Sequence, residues 1–367
     1  MNVLIIGGGG REHALTLAIA KSESCGSIFA APGNPGILKI ARRADVKISD
    51  FLQISNFCKE NQIDLVVVGP EQPLADGIAD ALRGMGHFVF GPSKDAAMLE
   101  VSKDFAKNIM IGAGVPTAAY KSFNSYEKND ALEYIQTMAL PLVIKADGLA
   151  AGKGVIIAES MYDAEKAINS IFSGEFGSAG AKIVIEEFMT GEEASVFAIC
   201  DGKDYFILPP AQDHKKIFDG ERGKNTGGMG SFAPTPMITP ELMTIIESKV
   251  IKPVVDFMNE RGTPFIGCLY AGLMITPENE PKVVEFNVRF GDPETQTVLN
   301  VIEGDFLKLL YTAATGKIDK ECVKNRKGVV ATCVVLAANG YPDSYVKGDE
   351  ISGINDAENV GAIVYHA

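Results

Sequence analysis

Residues 283–294 read V-V-E-F-N-V-R-F-G-D-P-E, and they place polar side chains on one face of an otherwise apolar β-strand. Because side chains alternate along a strand, Glu285, Asn287 and Arg289 share one face. The other face, with Val284, Phe286, Val288 and Phe290, is expected to belong to the core. A carboxylate and an amide oxygen two residues apart are hard donors that suit Mg²⁺, which usually takes its other ligands from water and phosphate. The stretch therefore predicts a metal site at Glu285 and Asn287 that serves a nucleoside triphosphate.

The alternative is an amphipathic strand with one face in water, which is the commoner reason for such alternation in a single segment. Two features favour the metal site. The turn that follows crowds Asp292 and Glu294 into the same neighbourhood, and a second segment of the chain suits phosphate.

That second segment, residues 141–157, reads P-L-V-I-K-A-D-G-L-A-A-G-K-G-V-I-I and predicts a β-hairpin with a glycine-rich tip. Backbone N–H groups at such a tip can approach an anion closely, and Lys145 and Lys153 add positive charge where phosphate oxygens would lie. The spacing differs from a Walker A loop, which ends in Gly-Lys followed by Ser or Thr. An ordinary glycine-rich turn with solvated lysines explains this segment about equally well when it is taken alone.

Length and composition limit the class of protein. A chain of 367 residues is expected to hold two to four domains, and 46% hydrophobic with 22% charged residues is typical of a globular protein. The net charge of −13 argues against nucleic acid and anionic membranes as partners. Six cysteines lack metal-site spacing, which indicates reduced thiols, and no stretch is long and apolar enough for a membrane span; a cytoplasmic location is the simplest expectation.

The first hundred residues alternate strand and helix patterns, with strands predicted over residues 3–6, 28–30, 65–68 and 88–90. This alternation predicts a small α/β domain with a parallel sheet. Glu12 stands where a dinucleotide-binding motif requires its third glycine, so a nicotinamide dehydrogenase is not favoured. The glycine turn after the first strand and the Gly-Pro-Glu segment after a later strand should meet at one sheet edge and form a pocket for a phosphate ester. A glycine turn with a purely structural role explains the first of these segments about equally well. The residues concerned are Gly9, Gly10, Arg11, Glu12, Gly69, Pro70 and Glu71.

Further along the chain, the patterns predict one helix over residues 97–111, which carries Lys103 and Lys107, and a strand over residues 182–188 that ends in acidic residues. Residues 211–230 are polar and glycine-rich, and we expect a long functional loop there. The last piece of the chain should contain strands over residues 328–337 and 361–365.

The motifs then carry a family resemblance. In chain order they are G-G-R-E-H-A (9–14), G-P-E (69–71), K-A-D-G-L-A-A-G-K-G (145–154), V-I-E-E-F (184–188), Q-D-H-K (212–215), N-T-G-G-M-G (225–230) and E-F-N-V-R-F-G-D-P-E (285–294). Together they closely resemble the phosphoribosylamine–glycine ligase family of ATP-grasp enzymes. Gly8 departs from the asparagine that many members carry, and the family would continue for several dozen residues beyond residue 367, so the C-terminal domain is expected to be incomplete.

The resemblance implies an α/β architecture in three parts. A Rossmann-like, pre-ATP-grasp domain that binds phosphoribosylamine would span residues 1–101. An ATP-grasp core would span residues 102–325, with a lid inserted at about 122–192, and a short β-rich C-terminal domain would span residues 326–367. The implied reaction is the ATP-dependent ligation of glycine to 5-phosphoribosylamine in purine biosynthesis, through a glycyl phosphate.

The resemblance also implies roles for individual residues. ATP would be bound by Lys103, Lys145, Gly148, Gly152, Lys153, Gly154, Glu186, Glu187, Phe188 and Glu193, and Mg²⁺ (or Mn²⁺) by Glu285 and Asn287. The substrates would be bound by Asp213, Lys215, Asn225, Thr226, Gly227, Gly228 and Arg289, together with the N-terminal set named above. Lys145, Asp213 and Arg289 would act in catalysis. Two alternatives remain: a different ATP-grasp carboxylate–amine ligase, and a non-catalytic nucleotide-binding protein, which the metal ligands disfavour.

Overall fold

The structure, a computed structural model, describes residues 1–149, 154–220 and 222–367. Its N-terminal part is built from β1 (Val3–Gly7), α1 (Gly10–Ala20), β2 (Ile28–Pro32), β3 (Arg42–Arg43), α2 (Phe51–Glu60), β4 (Leu65–Val68), α3 (Glu71–Asp76), α4 (Ile78–Gly84) and β5 (Val89–Phe90). The strands form one parallel sheet in the order β3-β2-β1-β4-β5. Every residue of β1 and β4 is buried, as expected for strands covered on both faces. The predicted parallel α/β sheet is confirmed.

Two further helices follow, α5 (Lys94–Val101) and α6 (Lys103–Gly112). The prediction of one helix over residues 97–111 is wrong, because Ser102 between the helices has an extended backbone with φ of −124°. Its side chain accepts a hydrogen bond from the N–H of Phe105 and so caps α6. The break places Lys103 at the first position of a new helix.

A separate antiparallel sheet comes next, which we call the lid. The lid comprises four strands and two helices: β6 (Tyr120–Asn124), α7 (Lys128–Ile135), β7 (Leu142–Ala146), β8 (Val155–Ala158), α8 (Met161–Ser170) and β9 (Lys182–Glu187). The strands form the sheet in the order β6-β9-β7-β8. The predicted hairpin is present, since β7 and β8 pair antiparallel. The helices pack on the sheet around a hydrophobic cluster whose fully buried members all lie between Phe123 and Ile185.

The remaining elements are β10 (Glu192–Asp201), β11 (Tyr205–Ile207), β12 (Gln212–Phe218), β13 (Arg222–Ala233), α9 (Pro240–Ile246), α10 (Lys252–Glu260), β14 (Ile266–Ile275), β15 (Pro281–Asn287), α11 (Glu294–Val298), β16 (Ile302–Gly304), α12 (Phe306–Ala314), β17 (Val323–Asn325), β18 (Ala331–Val334) and α13 (Ile354–Asn359). One antiparallel sheet has the order β11-β10-β14-β15, another the order β12-β13-β18, and β16 pairs with β17. Leu4 and Val66 of the N-terminal sheet share a hydrophobic cluster with Leu269 and Phe286 of the central sheet, so these two sheets have a common core.

Two predictions in this part of the chain are wrong. Residues 211–230 are not a loop but lie mostly in the hairpin of β12 and β13, to which β18 adds a third strand. Residues 361–365 form no strand. Instead, the chain beside them contacts the N-terminal domain, where the His366 N–H donates to His13 Nδ1 at 3.0 Å and Asn34 Nδ2 donates to the His366 carbonyl at 2.7 Å.

Within the described ranges, no helix is both long and apolar enough to cross a bilayer. All six cysteines are free thiols.

Candidate active site

The strand β15 carries the predicted metal ligands, but its alternation is interrupted. The pairing with β14 shifts between Gly272 and Leu273, so Gly272 faces Glu285 while Leu273 faces Val283. Val284 is therefore an extra residue in the strand, a β-bulge, and it is half-buried rather than part of the core as predicted. The bulge turns its carbonyl toward Lys145, whose Nζ donates to it at 3.2 Å.

Glu285 lies among positive charges. Burial alone would raise the pKa of its carboxyl, but Lys215, Lys145 and Lys103 lower it, with a further contribution from Arg289. The side chain is therefore ionised at neutral pH. Four positively charged side chains therefore surround the predicted metal ligand.

The pair Glu285 and Asn287 suits a hard cation. Among the described residues there is no group of three or more His, Cys, Asp or Glu side chains arranged to hold a metal. A metal at this pair would thus have one carboxylate and one amide oxygen from protein and would complete its shell with phosphate and water, as Mg²⁺ commonly does. The Asn287 oxygen also accepts a hydrogen bond from Arg289 at 3.2 Å, which orients the amide.

Arg289 joins three elements of the fold. Its Nε lies 3.3 Å from a carboxylate oxygen of Glu71, its Nη2 lies 3.0 Å from Glu100, and its Nη1 donates to the Phe290 carbonyl at 3.1 Å. Glu100 in turn accepts a hydrogen bond from the Val288 N–H at 2.8 Å. Burial would lower the pKa of the guanidinium, but Glu100 and then Glu71 raise it above its ordinary value. Arg289 is consequently a fixed cation beside the metal pair.

The predicted phosphate-binding lysines converge from two sides. Lys103 Nζ donates to the Gly148 carbonyl at 3.0 Å, and Lys145 Nζ lies 3.0 Å from Glu186. The carboxylate of Asp147 accepts from Ser102 Oγ and from the first turn of α6, each at 3.1 Å. These contacts attach the glycine-rich segment of the lid to the start of α6.

The other lid residues lie as follows. Gly152 and Lys153 lie outside the described residues, and the Gly154 carbonyl accepts from the Ala146 N–H at 2.8 Å, at the start of the return strand. Glu187 accepts from the Ala119 N–H at 3.1 Å, and Phe188 is exposed. The carboxylate of Glu186 faces two lysines, and its backbone lies between the paired strands β6 and β7.

The hairpin of β12 and β13 contributes a buried carboxylate. The pKa of Asp213 is raised to about 7 by burial and by the nearby Glu294 and Glu193, against the opposing effect of Lys215. Lys215 Nζ lies 2.8 Å from Glu193 and 3.8 Å from Asp213. Glu193, predicted to bind ATP, is therefore paired with a lysine at the rim of the site.

The glycine-rich part of β13 is partly held by side chains. Thr226 Oγ1 donates to the Lys215 carbonyl at 2.9 Å and accepts from the Gly228 N–H at 3.0 Å. The Gly227 N–H donates to Tyr341 Oη at 3.2 Å, while Asn225 is exposed.

The N-terminal sheet edge brings together the residues predicted there. Gly9 and Gly10 open α1 after β1, while Pro70 and Glu71 open α3 after β4. The Glu12 carboxylate lies between the turn after β1 and the turn after β4. It packs so closely on Gly69 that a Cβ added there would lie 2.2 Å from Glu12 Oε1.

Two backbone donors of this glycine turn are already bonded to carboxylates. The Gly9 N–H donates to Glu12 at 2.7 Å and the Arg11 N–H donates to Asp292 at 3.3 Å, while Arg11 Nε lies 2.6 Å from Glu12. These two N–H groups are not free to bind phosphate, so the phosphate pocket predicted at the turn would need other donors. The carboxylates instead suit amine or hydroxyl groups.

The turn at residues 291–294 connects the parts of the site. Asp292 contacts α1 as described, and the Pro293 carbonyl accepts from Ser231 Oγ of β13 at 2.8 Å. Glu294 accepts from Tyr270 Oη at 2.6 Å and from Ser195 Oγ at 3.4 Å, in a buried group that spans β10 and β14. One turn therefore sets the distance between the N-terminal edge, the hairpin and the central sheet.

Sequence reasoning assigned no role to three residues that the structure brings into this region. Glu100 and Tyr270 gave no recognisable signal, because a glutamate late in a helix and a tyrosine in an apolar strand are commonplace. Lys107 lies four residues after Lys103 and so on the same face of α6, but this spacing alone does not assign it a role.

Comparisons with known proteins agree with this geometry. Two family models match adjoining parts of the chain: the N domain of phosphoribosylglycinamide synthetase over residues 1–100, and the ATP-grasp (A) domain of the same enzyme over residues 101–295. Phosphoribosylamine–glycine ligase of Leptospira interrogans is 49% identical over 350 residues, which cover 95% of this chain and 82% of the relative. The ligase of the same name from Mesorhizobium japonicum is 48% identical over 367 residues, covering 100% of this chain and 85% of the relative.

The fold is likewise similar to that of a solved structure. The crystal structure of phosphoribosylamine–glycine ligase from Thermotoga maritima superposes with a TM-score of 0.82 at 34% identity, covering 95% of this chain and 83% of that one. The chain therefore belongs to the phosphoribosylglycinamide synthetase family.

Proposed function

We propose that the chain is an ATP-dependent ligase that joins glycine to 5-phosphoribosylamine, giving glycinamide ribonucleotide, ADP and phosphate in purine biosynthesis. The observation that carries this proposal is the group of cations around Glu285, which includes Lys103, Lys145 and Lys215. Such a group suits a triphosphate beside a metal ion, and the family to which the chain belongs is defined by an ATP-grasp domain.

The reaction requires two displacements. An oxygen of the glycine carboxylate attacks the γ-phosphorus while the bond to ADP breaks, which gives glycyl phosphate. The amine of phosphoribosylamine then attacks the acyl carbon, and the bond to the phosphate oxygen breaks. Because neither step forms a bond to protein, the contribution of the chain is alignment and neutralisation of charge.

Individual residues fit these requirements. Lys145 and Lys103 would neutralise phosphate oxygens, and Arg289, held rigidly by Glu71 and Glu100, would face the glycine carboxylate. Glu285 and Asn287 would hold Mg²⁺, or Mn²⁺ with the same oxygen ligands. The bound metal would screen the phosphate charges and orient the γ-phosphate.

Asp213 suits the second step. With a pKa near 7, its carboxyl can take up the proton that the amine loses as the amide forms. The carboxylates of Glu12 and Asp292 at the glycine turn would bind polar groups of the ribosylamine, and the polar hairpin around Thr226 and Gly228 would lie against the same substrate.

The alternative was another ATP-grasp ligase with a different carboxylate and amine. Relatives with 48–49% identity over most of their length carry one name, which disfavours it. We also propose a cytoplasmic location, supported by six free thiols, a state typical of reducing compartments.

The test is ADP release from purified protein with MgATP, when glycine and phosphoribosylamine are added singly and together. ADP should accumulate at a high rate only when both are present. Glycine labelled with ¹⁸O in its carboxylate should pass one labelled oxygen to inorganic phosphate in each turnover. No product from this substrate pair would refute the assignment, and unlabelled phosphate would refute the acyl phosphate step.

A further inference from the structure

The predicted nucleotide site contains a buried group of three charges, Lys107, Lys145 and Glu186, which we call the lysine–glutamate cluster. Lys145 Nζ lies 3.0 Å from the carboxylate of Glu186, and Lys107 Nζ lies 3.2 Å from it. The exposed fractions of the side chains are 2% for Lys107, 6% for Lys145 and 2% for Glu186. One carboxylate thus serves two ammonium groups, and the cluster carries a net charge of about +1.

Lys107 is held away from any ligand by its surroundings. Its Nζ donates to Thr117 Oγ1 at 2.8 Å and to the Ala118 carbonyl at 3.4 Å, and it lies 5.2 Å from the centre of the Tyr120 ring. Thr117 itself donates to the Val283 carbonyl at 2.7 Å, which fixes this end of the cluster against β15. With Glu186 as the third partner, all three N–H donors of the Lys107 ammonium group therefore have protein acceptors.

Lys145 is placed differently within the cluster. Besides Glu186, its Nζ contacts the bulged Val284 carbonyl, next to the metal ligand Glu285. Without Lys107, Glu186 and Lys145 would form a neutral pair, and a neutral buried pair attracts phosphate weakly. With Lys107 present, the carboxylate is shared and positive charge remains on the side that faces the predicted triphosphate.

We propose that Lys107 is a positioning residue that neutralises Glu186, so that the charge of Lys145 is available to the phosphates of the nucleotide. Lys107 does not touch the nucleotide. This inference rests on the proposed ATP site and adds a residue to which the family motifs gave no role.

The test is a set of charge variants in the full chain, measured by calorimetric titration with MgATP and with adenosine. Replacing the lysine (Lys107→Met) lowers the cluster charge from +1 to 0, so the Kd for MgATP should rise about tenfold or more, while that for adenosine, which lacks phosphates, should change less than about twofold. Removing both charges (Lys107→Met with Glu186→Gln) restores +1, and the Kd for MgATP should return to within about threefold of wild type. Lys107→Arg, which keeps the charge, is the matched control.

Each outcome decides the inference. An unchanged Kd for MgATP in Lys107→Met overturns the inference. The inference also fails if the double variant binds MgATP as weakly as Lys107→Met while the single variant Glu186→Gln binds it normally. Equal weakening of MgATP and adenosine would indicate a merely structural role and would also overturn it. If Lys107→Met does not fold by circular dichroism, Lys107→Gln, which can keep the Thr117 hydrogen bond, is measured in its place. Wild-type protein that fails to bind MgATP would overturn the proposed function, and the inference with it.

Discussion

Replacing Arg289 by lysine should both destabilise the protein and slow the reaction. The guanidinium makes four polar contacts, to Glu71, Glu100, Asn287 and the Phe290 carbonyl, at 3.0–3.3 Å. An ammonium group lacks the planar fork and can keep about two of them. Each lost hydrogen bond to a charged group costs about 1.5 kcal/mol or more, so the free energy of unfolding should fall by about 3 kcal/mol.

The assay is urea unfolding followed by circular dichroism, with ADP release measured on the same preparations. Arg326→Lys is the matched control, because Arg326 is exposed and its side chain donates to the Asn300 carbonyl at 3.1 Å. The control should change the free energy of unfolding by less than about 0.5 kcal/mol. A similarly small change in Arg289→Lys would refute the reasoning that the four polar contacts of this arginine stabilise the fold, and normal turnover would remove it from the active site.

Three further predictions concern the metal pair, the lid and the N-terminal domain. Glu285→Gln should reduce ADP release about 100-fold or more with little change in thermal unfolding, because it removes metal-binding charge and leaves the core face of β15 intact; near-normal activity at ordinary magnesium would exclude a metal role. MgATP should slow proteolysis within residues 148–154 if this segment closes over phosphate, and unchanged cleavage at saturating nucleotide would contradict that closure. Burial and then His366 lower the pKa of His13 to about 4 in the folded protein, so the unfolded chain takes up its proton first, near pH 6.5, as the pH falls. Between pH 7.5 and pH 5, wild type should therefore lose about 1–2 kcal/mol more stability in urea than His13→Asn, and parallel pH dependences would contradict this.

Local patterns predicted much of the fold correctly. The strand over residues 65–68 was predicted with the bounds that the structure has, since four consecutive buried aliphatic residues have few alternatives between two helices. The hairpin of β7 and β8 and the meeting of the strand ends near Glu12 and Gly69 also followed from local sequence. In these places short-range preference and long-range packing agree.

The errors arose where distant residues decide the local structure. Ser102 ends one helix and caps the next, and its hydroxyl contacts Asp147, 45 residues away. Residues 211–230 have the composition of a loop, but pairing of β13 with β18, which includes Gly230 opposite Val334, makes them part of a sheet. The bulge at Val284 depends on β14, and Lys107 became informative only when Glu186 was placed beside it. None of these partners can be read from a window of neighbouring residues.

The lid has a hydrophobic cluster of its own, whereas the N-terminal and central sheets share one. Polar contacts, such as those of Lys103 with Gly148 and of Ser102 with Asp147, join the lid to the rest of the molecule. Breaking such contacts exposes little apolar surface, so the cost of moving the lid lies mainly in its polar contacts, above all in the buried pair of Lys107 in α6 with Glu186 in the lid. The lid should also behave as an independent cooperative unit, whose amide hydrogens exchange with solvent through an opening that leaves the two larger sheets folded.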